Sequence, residues 1–158
     1  MPATVLVNLF SPRWGEVEEQ VARAVRATLE SEGRGVGEEV EVGILLTNDE
    51  HSRELNRRHR GLDRPANVLS FAMEDGDALP EPDEGPVLLG DVVIPYETTL
   101  AEAGEAGVTL EARLVHLAVH GVLHLLGYDH ERSEAEAERQ EAREIAILAG
   151  LGIADPYG

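Results

Sequence analysis

The stretch LEARLVHLAVHGVLHLLGYDH, residues 110–130, decides the fold of this chain. Apolar residues recur through it at helical spacing, so it predicts a helix that is largely buried. Thr109 precedes this helix, and Gly127 is expected to end it. So apolar a helix must be surrounded by other elements of the chain.

The order of the remaining elements predicts an α+β fold in which helices pack against a sheet. Segments rich in β-branched and apolar residues predict four strands: residues 3–9, 40–48, 67–74 and 88–96. Three more helices are predicted: residues 14–33 from helical spacing, one from a capping box of Thr47 and Glu50 to about Gly61, and one from Ser133 with Glu136 to about Gly150, which is amphipathic through Ile145 and Leu148. An acidic, proline-rich and mobile loop is expected at residues 75–86.

Length and composition narrow the possible classes of protein. The 158 residues suit one domain, so we expect a single domain over residues 1–158. Cysteine is absent from the sequence, which excludes disulfides, thiolate metal sites and cysteine nucleophiles, so any metal must be held by His, Asp or Glu. The sequence shows neither a secretory pattern nor the ~18 apolar residues of a membrane span, so we expect a soluble cytoplasmic protein without membrane contact.

The chain is strongly acidic as a whole but contains one arginine-rich segment. The formal net charge is −18, and all 13 basic residues are arginine. So acidic a chain is not expected to bind nucleic acid through its whole surface. Five arginines nevertheless fall within HSRELNRRHRGLDR, residues 51–64, where they could form a local anion-binding face. A solvated helix face explains the same pattern equally well.

Three histidines lie on the central helix at intervals of four residues: His116, His120 and His124. This spacing stacks them along one side of the helix. They cannot all bind one ion, because the outer two are separated by about 12 Å of helical rise, whereas zinc needs nitrogens about 2.1 Å away. A single histidine on such a helix is more often a core residue, and His116 keeps that interpretation.

His130 follows the glycine that is expected to stop the helix. The break would let the chain turn back, so that His130 joins His120 and His124 at one point. Three imidazoles delivered in this way leave a fourth position for water, which is the mark of a catalytic zinc. The sequence therefore predicts one zinc ion on His120, His124 and His130, although nickel, cobalt and iron also accept imidazole.

The residue after the first of these histidines narrows the chemistry further. Zinc peptidases with the HExxH pattern carry their general base there, and this chain has Gly121. Three neutral imidazoles leave the zinc its full positive charge, which would activate a bound water and attract an anionic phosphodiester. A cationic site beside an arginine-bearing helix favours phosphate esters over peptides.

Three blocks of the sequence closely resemble the YbeY family of bacterial ribosomal RNA maturation factors. These blocks are LNRRHRGLDRPANVLSF at residues 55–71, LLGDVVI at residues 88–94 and HGVLHLLGYDH at residues 120–130. The resemblance implies a zincin-like α+β fold and a single-strand-specific endoribonuclease with its metal on the three histidines. It also implies work on the 3′ end of small-subunit ribosomal RNA and in ribosome quality control, with the small subunit and its proteins as partners and no role for DNA.

The same resemblance places a functional arginine at Arg60, whose guanidinium can bind phosphate oxygens in a bidentate fork. Alone, Arg60 could equally form a surface ion pair with Asp63 or Glu54. This chain departs from the family pattern at Ala66, where threonine is usual, and at His59, where an aromatic residue is usual. The reaction is thus predicted to depend on Arg60 and on His120 with the zinc-bound water.

The remaining candidates have open roles. Asp129 could orient a ligand histidine or replace the missing glutamate as a base. His51 and His59 are expected to be solvated helix residues, although His59 could touch substrate.

Two other functions stay open: a zinc peptidase or amidase of the zincin type, and a non-catalytic ribosome-assembly factor whose zinc only holds the turn after the helix.

Overall fold

The computed structural model of the protein describes residues 3–35, 39–72 and 87–157. The acidic loop predicted at residues 75–86 lies outside the described residues. Within them the chain forms an α+β arrangement of one mixed sheet and five α-helices, which agrees with the fold class expected from the order of the elements.

The sheet has four strands: β1 at Ala3–Leu9, β2 at Val40–Thr47, β3 at Leu69–Ala72 and β4 at Val87–Pro95. Their order across the sheet is β1-β2-β4-β3. β1, β2 and β4 are parallel, whereas β3 runs antiparallel to β4 at the edge. All four strands match predicted segments, although β3 is shorter than expected within the described residues.

A short 3-10 turn at Pro12–Trp14 precedes five α-helices: α1 at Glu18–Ser31, α2 at Asp49–Arg60, α3 at Tyr96–Ala106, α4 at Leu110–Leu125 and α5 at Glu134–Gly150. The sequence predicted the α-helices except α3, although α1 begins at Glu18 and not at residue 14. None of the helices in the described part of the chain is long and apolar enough to span a membrane.

The predicted start of α2 was wrong by one residue. Asn48, not Thr47, is the N-cap, and its side chain accepts a hydrogen bond from the backbone N–H of His51 at 2.8 Å. Thr47 ends β2, and its hydroxyl instead contacts the His51 ring at 2.8 Å. Asparagine caps helices at least as well as threonine, so the strand could extend to Thr47 at no cost in capping.

Helix α4 lies at the centre of the core, as its composition predicts. One cluster of buried apolar side chains joins it to α1 and the sheet, and a second joins it to α1 and α5. Leu114 and Leu123 are fully buried, and burial of each such side chain contributes about 1.5–3 kcal/mol to stability. Packing on both sides makes α4 a rigid base for the side chains at its C-terminal end.

Candidate active site

The C-terminal end of α4 is built so that the chain reverses direction. The backbone N–H of Tyr128 donates to the carbonyl of Leu123 at 3.1 Å, and Gly127 adopts a φ of 109°, a conformation that favours glycine. The next turn is held by Asp129, whose Oδ1 accepts the backbone N–H of Glu131 at 3.1 Å. These two turns carry His130 back towards α4.

The rings of the three predicted ligands lie together at this end of the helix. The ring centroids of His120 and His130 are 4.8 Å apart, and those of His124 and His130 are 6.4 Å apart. Rings that share one zinc through nitrogens about 2.1 Å from it have centroids about 5 Å apart. The first pair is at that spacing and the second is wider. Accordingly, within residues 3–35, 39–72 and 87–157 no group of three His, Asp or Glu side chains already has metal-binding geometry.

The orientation of the His120 ring supports a role as a metal ligand. Its Nδ1 lies 2.6 Å from Oε2 of Glu144, a carboxylate on α5 that is fully buried. A proton on Nδ1 therefore donates to Glu144 and leaves the lone pair of Nε2 free. Histidines that bind metals typically donate their other ring N–H to a carboxylate in this way, so the chemistry of the His120 ring fits that of a metal ligand.

Glu144 holds a negative charge inside the protein because several donors surround it. Burial raises its pKa, but hydrogen bonds from His116, His120 and Tyr157 outweigh this effect and lower the pKa to about 2. Arg113 lies 2.9 Å from Nδ1 of His116 and can only donate, so the His116 proton is on Nε2 and donates to Glu144 at 2.8 Å. His116 therefore lies one turn from the predicted metal site and donates to the same carboxylate that His120 contacts.

His124 is half-buried beside the turn. Burial lowers its pKa below the usual value for histidine, Asp129 opposes this effect, and His120 and His130 reinforce it. A neutral imidazole is the form that binds metal ions.

A side chain at position 121 has no room. The Cβ of any residue there would lie 2.6 Å from Cγ1 of Val92 on β4 and 3.2 Å from the hydroxyl oxygen of Ser70 on β3. Ser70 also donates to the carbonyl of Gly121 at 3.1 Å. The HExxH peptidases have a glutamate at this position. Here the packing of α4 against the sheet leaves no space for it.

Arg60 differs from the other arginines of α2 in its partner. Arg53 pairs with Asp63 at 2.7 Å, and Arg57 and Arg58 both pair with Glu54. Arg60, at the last position of the helix, instead reaches Glu131 in the turn beside His130, at 3.4 Å. Neither ion pair considered from the sequence, with Asp63 or with Glu54, forms.

The three histidines and Arg60 line one cleft of about 430 Å³ between the end of α2, the edge strand β3 and the turn after α4. His59 also lines this cleft, with its ring 4.9 Å from that of Phe71. His51 lies at the other end of α2, against Phe10, outside the cleft. The backbone of Ala66 is held by Ser52, whose hydroxyl bonds both its N–H at 3.0 Å and its carbonyl at 2.9 Å.

Asp129 makes no hydrogen bond to a histidine ring in the part of the chain that the structure describes. Its carboxylate orders the turn that carries His130, by the bond to the backbone of Glu131. The carboxylate that contacts the His120 ring is Glu144, a residue that no sequence motif singled out. A signal was available, because Gln140 and Glu144 occupy the same helical stripe as buried Ile147 and Leu148, where apolar residues are expected. A charged residue in such a stripe requires buried partners.

Comparison with protein families gives one match over most of the chain. The model of the family described as endoribonuclease YbeY matches residues 11–152. A protein of Erythrobacter litoralis named endoribonuclease YbeY is 50% identical over 146 residues, which cover 91% of each chain. A protein of the same name from Magnetococcus marinus is 55% identical over 122 residues, 75% of this chain and 83% of the relative.

A solved structure has the same fold. The solution structure of TM1509 from Thermotoga maritima matches with a TM-score of 0.57 over 94% of this chain and 91% of that protein, at 24% sequence identity. At this identity the likeness concerns the arrangement of helices and strands alone.

Proposed function

The chain belongs to the endoribonuclease YbeY family, and from this membership we propose that it is a metal-dependent endoribonuclease that cleaves single-stranded RNA. The observation that carries the proposal is the common cleft of His120, His124, His130 and Arg60, which combines a set of imidazoles with a guanidinium. Its volume, about 430 Å³, lies in the range of about 300–1,000 Å³ that is usual for ligand sites.

We propose that one zinc ion binds to His120, His124 and His130. When bound, zinc supplies Lewis acidity that polarises a phosphoryl oxygen and activates the attacking oxygen. Glu144 orients the His120 ring for this ion by accepting the hydrogen bond from Nδ1. The reaction then depends on how the remaining residues of the cleft bind and orient the RNA.

Arg60 is proposed to bind the scissile phosphate. Its distance to Glu131 is 3.4 Å and both side chains are about half exposed, so this ion pair contributes little. A phosphodiester entering the cleft can replace Glu131 as the partner, in the bidentate geometry that guanidinium prefers. The charge that develops on the phosphate in the transition state would then face a fixed cation.

The proposed substrate in the cell is the 3′ end of small-subunit ribosomal RNA, and the proposed setting is ribosome maturation and quality control in the cytoplasm. The net charge of −18 supports a directed rather than a general interaction with RNA. Contacts with small-subunit proteins would bring so acidic a chain to its RNA. DNA and membranes are not proposed as partners.

The test combines metal analysis with RNA cleavage. We expect about one zinc per wild-type chain, cleavage of a labelled single-stranded RNA but not of the matching duplex or of single-stranded DNA, and loss of both zinc and cleavage in His124→Ala. Products that end in 2′,3′-cyclic phosphates would assign the attack to the RNA's own 2′-hydroxyl. Cleavage of an unstructured protein but not of RNA would refute the proposal.

A further inference from the structure

The buried carboxylate of Glu144 accepts a hydrogen bond from a residue near the C-terminal end of the chain. The hydroxyl of Tyr157 donates to its Oε1 at 2.6 Å, although almost half of the tyrosine is exposed to solvent. The other oxygen, Oε2, lies 2.6 Å from Nδ1 of His120. One carboxylate therefore connects the end of the chain with a histidine of the active-site cleft, nearly forty residues away in sequence.

Several contacts place Tyr157 at this position. The backbone N–H of Ile153 donates to the carbonyl of Leu148 at 2.9 Å, which folds the chain back after α5. The side chain of Asp155 then accepts the backbone N–H of Tyr157 at 2.8 Å. The tyrosine ring lies edge-on to the His116 ring, with centroids 5.4 Å apart. The hydroxyl is thus held by a turn and by a ring contact, not by a mobile tail.

The donors to Glu144 are divided unequally between its oxygens. Oε1 accepts from both His116 and Tyr157, whereas Oε2 meets His120. Two fixed donors on Oε1 determine the rotation of the carboxylate and so the direction of Oε2. Without the tyrosine hydroxyl, Oε1 would keep His116 as its single donor, and the buried carboxylate would lose part of the hydrogen bonding that offsets its desolvation and fixes its rotation.

We propose that Tyr157 is a positioning residue for the active site: through Glu144 it holds the His120 ring in the orientation that presents Nε2 to the cleft. This inference rests on the proposed function, because it concerns a ligand of the proposed zinc site. It adds a role for the C-terminal turn, which does not itself line the active-site cleft.

The chain contains a matched control. Tyr128 makes the same type of bond as Tyr157, from its hydroxyl to the carboxylate of Glu32 at 2.8 Å, but Glu32 contacts no histidine among the described residues. Tyr157→Phe and Tyr128→Phe therefore each remove one tyrosine–carboxylate hydrogen bond and keep the ring. Only the first removes a bond that leads to His120.

The experiment measures zinc affinity by competition with a chromophoric chelator, together with the thermal stability of the zinc-free proteins. We expect Tyr157→Phe to bind zinc about 10-fold more weakly than wild type, the order of effect seen when the partners of a ligand histidine are removed. Tyr128→Phe keeps the backbone N–H hydrogen bonds of the turn that carries His130, so it should bind zinc as wild type does. In zinc-free wild type, the nitrogen chemical shifts of His120 should report a protonated Nδ1, and Tyr157→Phe should reduce this preference.

The outcomes separate the two proposals. If wild type binds zinc and cleaves RNA while Tyr157→Phe has the same zinc affinity and the same His120 shifts, the positioning role is overturned and the proposed function stands. If both tyrosine variants lose zinc affinity in proportion to their stability, the effect is general and the positioning role is again overturned. A wild-type chain that binds no zinc overturns both proposals.

Discussion

Gly121 of α4 lies so close to β4 that a Cβ on this residue would be 2.6 Å from Cγ1 of Val92. The methyl group of Val68 and the hydroxyl of Ser70 would both lie at 3.2 Å. The helix therefore packs directly against the sheet at the residue after His120, a histidine that lines the cleft.

Gly121→Ala is expected to lower the free energy of unfolding by about 1–3 kcal/mol, because the new methyl group overpacks the contact between helix and sheet. Thermal denaturation measures this as a fall in Tm of several degrees. Gly104→Ala is the control, since Gly104 lies within α3 and a Cβ there meets nothing within 4 Å. That change should raise stability by up to about 1 kcal/mol. Equal effects of the two variants would contradict the packing argument.

Arg60→Ala is expected to reduce the kcat of RNA cleavage by about 10²–10³-fold, the usual cost of losing one donor to the charge of a transition state. Arg58→Ala is the control, because Arg58 belongs to the same helix but pairs with Glu54. It should cleave RNA within about 2-fold of wild type, since exposed ion pairs contribute little. Arg60→Lys should restore only part of the rate, because lysine lacks the bidentate fork. Equal losses in both alanine variants would instead indicate a diffuse charge effect.

The parts of this molecule that could be predicted from the sequence are those determined by local pattern. Four strands and three helices followed from apolar spacing, because α4 and its neighbours bury continuous stripes, whereas α2 followed from a capping pattern. The N-cap Ser133 followed from side-chain chemistry, and it accepts the expected hydrogen bond from the backbone N–H of Glu136. The approach of His130 to His120 followed from one glycine stop, because a turn there has few directions to take.

The parts that could not be predicted depend on contacts between distant segments. Helix α3 was missed because its sequence, YETTLAEAGEA, has only two buried residues and a weak apolar stripe. Glu144 was missed because a charged residue on a helix is normally assigned to solvent, and only the meeting of α4, α5 and Tyr157 gives it partners. The partner of Arg60 lies 71 residues away, beyond any local pattern.

His130→Ala is expected to abolish the rise in Tm that zinc causes in wild type. His130 is exposed on a turn, so its removal should change the stability of the zinc-free protein by no more than about 0.5 kcal/mol. Ligand binding raises the stability of the folded state by RT ln(1 + [L]/Kd), so a lost ligand appears directly in the zinc-dependent part of Tm. The measurement is thermal denaturation with a chelator and with excess zinc.

His59→Ala is the control for this experiment. His59 is also an exposed histidine that lines the cleft, but its ring packs against Phe71 and not against the other histidines. It should keep the full zinc-dependent rise in Tm. If the zinc-dependent rise in Tm survives in His130→Ala and disappears in His59→Ala, the metal site includes His59 and not His130.

Glu32 joins three elements by charge and hydrogen bonds. It follows α1, accepts a hydrogen bond from Tyr128 in the turn after α4 at 2.8 Å, and accepts another from Arg143 of α5 at 2.8 Å. Burial raises the pKa of Glu32, but the hydrogen bonds from Tyr128 and Arg143 outweigh this and lower it below its usual value. The ionised form is therefore favoured by folding.

Glu32→Gln is expected to weaken the dependence of the free energy of unfolding on pH in the acidic range. Because the folded pKa of Glu32 lies below the unfolded one, its contribution is complete above about pH 4.5 and is lost as the pH falls through the folded pKa. At pH 7 the variant should be less stable than wild type by about 1 kcal/mol, and the difference should shrink towards pH 3. Urea unfolding across this range measures this difference, with Glu30→Gln, an exposed change in the last turn of α1, as the control. A difference that grows as the pH falls would mean that the Glu32 carboxylate does not stabilise the fold in its charged form.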